Sequence, residues 1–163
     1  MIKKLTALFI LSTSILNAQE IKVNLPIGTL PMNEKDNGEN WNKYNFGEAG
    51  GLSYLTTPDY WGNQFGVTMN YYDKNIFGNN SAIATLDYQN TVYKYDKFDF
   101  KLGLRGGIAT GYNQTTTSGN IPILGATGEV HFDNVSLQTM ITPSYKNIPT
   151  AISAEVRFTA VKW

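Results

Sequence analysis

The sequence predicts an all-β protein: an eight-stranded antiparallel up-and-down transmembrane β-barrel. Three observations predict it. The stretch Phe98–Tyr112 puts Phe98, Phe100, Leu102, Leu104 and Ile108 on even positions. Asp99, Lys101, Gly103, Arg105, Gly107 and Ala109 fall on odd ones. Strict period-two alternation means a strand with two unlike faces. The stretch is about twice the length of a typical half-buried strand, and it exceeds the roughly 9–11 residues that cross a bilayer. Second, no apolar helical run follows the N-terminal segment, so insertion into a membrane has to be by barrel. Third, the polar connections alternate along the chain. A shorter set lies at 56–62, 96–97 and 133–134, and a longer or more polar set at 28–42, 74–80, 113–120 and 143–150. Outer-membrane barrels pair short periplasmic turns with longer extracellular loops and an even strand number.

The N-terminus has the plan of a secretory signal peptide. Met1-Ile2-Lys3-Lys4 is positive, Leu5 to Leu16 is a short apolar run, and Leu16-Asn17-Ala18 offers a small residue before a cut. Residues 1–18 are therefore read as the signal and 19–163 as one barrel domain, exported to the outer membrane of a bacterium.

Ile21, Val23, Leu25 and Ile27 alternate with Lys22, Asn24 and Pro26 as a first strand, weakened by Pro26, which cannot donate to a ladder. Gly28–Trp41 is turn-rich and reads as a loop. Lys43–Leu55 carries Tyr44, Phe46, Leu52 and Tyr54 on one face, and Gly47, Gly50 and Gly51 mark a bend or a close backbone approach. After Thr57-Pro58-Asp59, a turn, Asn63–Asp73 alternates through Phe65, Val67, Met69 and Tyr71. Ser81–Tyr95 sets Ala82, Ala84, Leu86, Tyr88 and Val92 against Ser81, Thr85, Asp87, Gln89 and Thr91. Ile121–Phe132 sets Leu124, Ala126, Val130 and Phe132 against Gly125, Thr127, Glu129 and His131. Val135–Ile141 and Ile152–Phe158 complete the set, and the apolar stripe of the last one is the kind of strand that barrel assembly machinery reads.

With the apolar faces outward, the lumen receives Asp87, Asp99, Lys101, Arg105, Glu129, His131, Glu155 and Arg157. An eight-stranded barrel is just wide enough for its own side chains, and buried charges must pair. The expectation is a plugged, salt-bridged lower lumen. Glu129 and His131 share a face, which suits an acid/base pair or, more simply, a structural hydrogen bond. The tyrosines near strand ends fit aromatic girdles at the two membrane interfaces. Cysteine is absent, which removes disulfides and thiolate sites, and the lone His131 without carboxylate partners makes no metal site. Lys+Arg and Asp+Glu are both 13, so nothing calls for nucleic acid. No cofactor is expected.

The second half resembles the lipid A palmitoyltransferase (PagP) family of outer-membrane barrels. The resemblance runs over roughly Asn63–Phe158. It rests on Leu102-Gly103-Leu104 with Gly107-Ile108-Ala109-Thr110, on Ile121-Pro122-Ile123-Leu124, and on Ser136 to Pro143 followed by Ala154 to Phe158. It implies an enzyme of the outer leaflet that moves an acyl chain from a phospholipid to lipid A, with the chain in an apolar well. It also implies a catalytic Asp73 at the extracellular rim. The family's serine after that aspartate is Lys74 here, and Gly28–Trp41 holds no histidine. Asp87 stands where the family has the glycine floor of its well. Three readings follow: a non-enzymatic structural, adhesion or surface-modifying barrel of a bacterium or its phage; a divergent lipid A/phospholipid acyltransferase; and a narrow channel, against which the crowded lumen argues. Expected partners are outer-membrane lipids (lipopolysaccharide and phospholipid) and the assembly machinery, around a monomer.

Overall fold

In a computed structural model of the chain, the described residues are 20–32, 49–75, 78–113, 116–144 and 150–163; the side chains at 30–31, 73–80 and 111–119 fall outside the description. Residues 1–18, expected to be a signal segment, therefore lie outside it. Eight strands form one closed barrel in sequence order: β1 (Glu20–Pro31), β2 (Ala49–Leu55), β3 (Asn63–Asn75), β4 (Gly78–Tyr95), β5 (Phe98–Asn113), β6 (Thr116–Phe132), β7 (Val135–Thr142) and β8 (Ala151–Lys162). Every neighbouring pair is antiparallel, and β8 closes on β1 from Glu20↔Lys162 to Pro31↔Ala151. The predicted eight-stranded antiparallel barrel is the observed one. We call the end bearing the start of β1, the end of β8 and the 56–62, 96–97 and 133–134 connections the near end, and the opposite one the far end.

β1 runs through Pro26 and past Gly28, where the sequence suggested a loop. The ladder to β2 stops at Asn24↔Gly51, and the ladder to β8 shifts register between Pro26 and Gly28. The proline thus sits at a bulge, beyond the last β2 pair, where its missing N–H leaves no gap in the ladder. β2 is described from Ala49; its expected start at Lys43 falls on residues 43–48, which lie outside the described ones. Gly51 fulfils the expected close approach: a Cβ there would stand 1.9 Å from Asn70 Oδ1 and 2.4 Å from the Met69 carbonyl oxygen.

The two far-end loops expected at 74–80 and 113–120 are mostly strand. Pairing continues through Lys74↔Asn79 and Asn75↔Gly78, and through Gly111↔Gly119 and Asn113↔Thr116. Ladder hydrogen bonds need only backbone groups, so polar and glycine-rich residues extend the hairpins. Strand length varies around the barrel: β4, β5 and β6 have 18, 16 and 17 residues against 7 and 8 in β2 and β7. The barrel is taller on its β4–β6 side. At the near end, Asp96 and Asp133 open two-residue turns at φ 51° and 55°. This is a left-handed conformation that aspartate tolerates better than most residues.

The two faces divide as expected, with polar side chains inward. Among the described residues, seven apolar side chains are buried and twenty-two polar or charged ones are. Each strand exposes large apolar side chains on its outer face, among them Leu25, Leu52, Phe65, Leu86, Leu104, Leu124, Ile141 and Phe158, one from each in order. The molecule is inverted relative to a protein folded around an oily core.

Candidate functional site

The lumen is layered. Its middle is a charge network. Arg157, wholly buried, donates from Nε to Glu155 at 2.8 Å and from Nη1 to Glu129 at 3.2 Å, and its Nη2 stands 2.6 Å from Glu155 and 3.7 Å from Asp87 as ion-pair contacts. Arg105 pairs with Asp87 at 2.9 Å and Glu155 at 3.1 Å and donates to the Gln138 side-chain oxygen. Lys22 pairs with Glu129 at 2.6 Å. The carboxylates are satisfied on their remaining lone pairs. Thr68 and Thr85 donate to Asp87 at 2.5 and 3.0 Å, Gln89 and Gln138 to Glu129 at 2.9 and 3.2 Å, and Asn70 to Glu155 at 2.8 Å. Strands β1, β3, β4, β5, β6, β7 and β8 all contribute. This is the arrangement that buried charges require: each of these ions is paired, and the carboxylates also accept hydrogen bonds from neutral side chains.

Asp87, Arg105, Glu129, Glu155 and Arg157 come together in this network. Lys101 makes no ion pair with them among the described residues; it donates to Gln64 Oε1 at 3.0 Å on the floor of the near end. His131 does not pair with Glu129; its Nδ1 stands 3.6 Å from Asp99 Oδ2. The acid/base pairing with Glu129 is corrected by strand geometry: successive inward residues of one strand stack along the barrel axis, while those on adjacent strands face each other, and Asp99↔His131 is a register pair. Sequence reasoning did not place Lys22, Asn24, Glu20 and the interior amides Gln64, Gln89 and Gln138 in the network. The alternation of Lys22 and Asn24 with Ile21, Val23 and Leu25 carried the signal.

Above the ions, toward the far end, the lumen turns apolar. Ile83, Ala109, Ile123 and Met140 pack together, with Tyr72 and Ile121 against them. Tyr72 thus points inward, where its hydroxyl meets Asn70 Nδ2 at 3.3 Å, and does not join an outer girdle. Asp73 follows in β3, its side chain outside the described residues.

Below the ions, at the near end, a cleft of about 560 Å³ opens. Its floor holds Lys101, His131, Asp99, Gln64 and Glu20, and its rim holds Tyr60, Trp61, Lys94, Lys162 and Trp163. The 56–62 connection forms one wall. Asp59 fixes it by accepting from the backbone N–H of Trp61 and of Asn63, both at 2.8 Å, and from the Asn63 side chain at 2.9 Å. Those bonds, the Asn63 side chain's first, hold the Asp59 carboxyl below the usual carboxylate range. Gly62, at φ 79°, turns the chain so that its carbonyl accepts from Thr91 N–H at 2.9 Å, tying the wall to β4.

No model of a known protein family matches the chain, and no curated protein matches its sequence. The residues alone carry the functional reading.

Proposed function

We propose that the protein is a small integral β-barrel of a bacterial outer membrane, PagP-like in fold and non-enzymatic, with a structural, adhesion or surface-modifying role. One observation carries this: the apolar side chains exposed on all eight strands form a belt around a polar, ion-paired interior. Soluble monomers seldom expose a contiguous apolar patch larger than a few hundred Å², whereas lipid-facing strands alternate apolar-out and polar-in. Closure of the barrel satisfies the backbone in hydrocarbon because it leaves no edge. The lumen argues for a closed barrel: the ion network is continuous across it, with the apolar layer stacked above. Its partners on this reading are lipopolysaccharide and phospholipid, and the barrel assembly machinery during insertion.

Expression in a diderm bacterium tests it. The protein should fractionate with the outer membrane and run on unboiled SDS gels at a mobility different from that of the boiled sample. Recovery in the soluble periplasmic fraction would overturn the reading. The acyltransferase alternative has its own test. Asp87, at the position of the family's acyl-well floor, is held by two arginines and two threonines, and Ile83, Ala109, Ile123 and Met140 occupy the lumen above. Lipid A from expressing cells should therefore show unchanged acylation by mass spectrometry; an added acyl chain would restore the enzyme reading.

A further inference from the structure

The near-end cleft holds a contrast that the charge network does not. Glu20 and Asp59 are hydrogen-bonded; Asp99 has an unpartnered Oδ1 and stands 3.6 Å from His131; Lys101 makes no ion pair among the described residues. Asp59 accepts three hydrogen bonds, and Glu20 accepts from Gln64 at 3.3 Å and Thr159 at 3.1 Å. Lys101 is only 4% exposed, yet it has no carboxylate within ion-pair distance among the described residues; its ammonium donates to Gln64 Oε1 at 3.0 Å. That leaves a buried cation with two of its three donors unused among the described residues. His131, 7% exposed, lies on the same floor, and neither ring nitrogen has a hydrogen-bond partner among the described residues. Lys94 and Lys162 stand at the rim. An uncompensated buried ammonium is costly, and a buried imidazole that makes no hydrogen bond, with Asp99 3.6 Å away, adds to the cost.

The rim has a second chemistry. Tyr60, Trp61 and Trp163 are each more than two-thirds exposed and all border this cleft. Tyr60 and Trp61 meet edge to face at 5.3 Å. Exposed rings beside a buried unpaired cation favour a ligand with an anionic head and a flat apolar body.

We propose that the near-end mouth is a binding site for a small carboxylate with an aromatic or otherwise planar body. The Lys101 ammonium takes the carboxylate, His131 supplies a second N–H, and Tyr60, Trp61 and Trp163 cover the body. Asp99 and Glu20 restrict the head to a single negative charge, because a second would face them across the floor.

Benzoate is the probe, read by tryptophan fluorescence of the full-length protein refolded in detergent. Two of its three tryptophans, Trp61 and Trp163, border the cleft. Benzoate should quench saturably. Benzamide, of the same shape without the charge, should not; acetate, lacking the body, and inorganic phosphate should bind more weakly than benzoate. Lys101→Met should weaken benzoate about 10- to 100-fold, the scale of one charge-assisted hydrogen bond. Lys101→Gln serves the same purpose if the methionine variant does not refold. Linear, non-saturating quenching, an equal response to benzamide, or full affinity in a folded Lys101 variant would each overturn the proposal. The wild-type comparison of benzoate with benzamide decides it even if neither variant folds.

Discussion

Removing the Arg157 guanidinium should expose how the lumen network shares its load. Arg157 touches three carboxylates, at 2.6 Å (Glu155), 3.2 Å (Glu129) and 3.7 Å (Asp87), and is wholly buried. Arg157→Met keeps the length and apolar stem and removes only the charged fork. Breaking one side of a buried ion pair costs about 3–5 kcal/mol because it strands the partner. Here no partner is fully stranded. Glu129 keeps Lys22, and Glu155 and Asp87 keep Arg105. The expected loss therefore sits at the lower bound, about 3 kcal/mol, roughly a hundredfold in the unfolding equilibrium. Urea unfolding in detergent, followed by the change in gel mobility and by far-UV circular dichroism, reads it. Pairing with Glu129→Gln gives a cycle in which the double variant should lose less than the two singles summed, by about 1 kcal/mol or more. A loss under about 0.5 kcal/mol for Arg157→Met, the range of ordinary surface changes, would refute the reasoning. It would mean that the lumen is wet enough to solvate these charges separately.

Other perturbations separate packing, loop and lipid effects. Gly51→Ala should destabilise the barrel by about 1–3 kcal/mol through overpacking, since its Cβ would land 1.9 Å from Asn70 Oδ1 and displace the amide that also serves Glu155; the same urea titration measures it. Leu104→Arg, on the outer face near mid-strand, should cost about 2–4 kcal/mol if lipid covers that face, against about 0–1 for the same change at Tyr95 near the strand end; equal, small losses in lipid vesicles would contradict the membrane reading. Because the folded Asp59 carboxyl titrates below its unfolded counterpart, its contribution is complete above the ordinary carboxylate pKa and is lost as pH falls through the lowered value. Trp61 fluorescence should thus hold constant from neutral pH to the ordinary carboxylate range and change only below it. Asp59→Ala should show the low-pH spectrum at neutral pH.

What could be read from the sequence was the contrast between faces, and it was readable only where contrast exists. In β5, Lys101 and Arg105 against Leu102 and Leu104 assign the lumen without any tertiary information. In the upper halves of β4 and β6 both faces are apolar or small: Ile83 lies between Ala82 and Ala84, and Ile123 between Pro122 and Leu124. Period-two reading has nothing to separate there, so the apolar layer was not visible. Partner identity was hidden for another reason. Lys22 and Glu129 meet across 107 residues because β8 closes on β1, and alternation fixes the direction of a side chain but not its height along a tilted strand. The same gap put His131 with Glu129, its neighbour in sequence, when register gives it Asp99. The far-end hairpins were misjudged because Asn, Gly and Thr runs look like loops, while the ladder that pairs them needs only backbone.

The layering bears on where a barrel of this size can act. Among the buried charged residues of the described chain, the cations Lys22, Lys101, Arg105 and Arg157 match the anions Glu20, Asp87, Glu129 and Glu155 in number. Matching in number is not matching in space. Six of the eight are in mutual ion pairs, and the two left over, Lys101 and Glu20, are joined only through Gln64 on the near-end floor. A network in which every charge but Lys22 holds two or three others resists local change, because moving one strands several. The central lumen is thus the least adaptable part of the molecule. Chemistry that has to meet a partner falls to the ends, and at the near end the residual imbalance is already on the floor: one buried cation that no carboxylate among the described residues pairs.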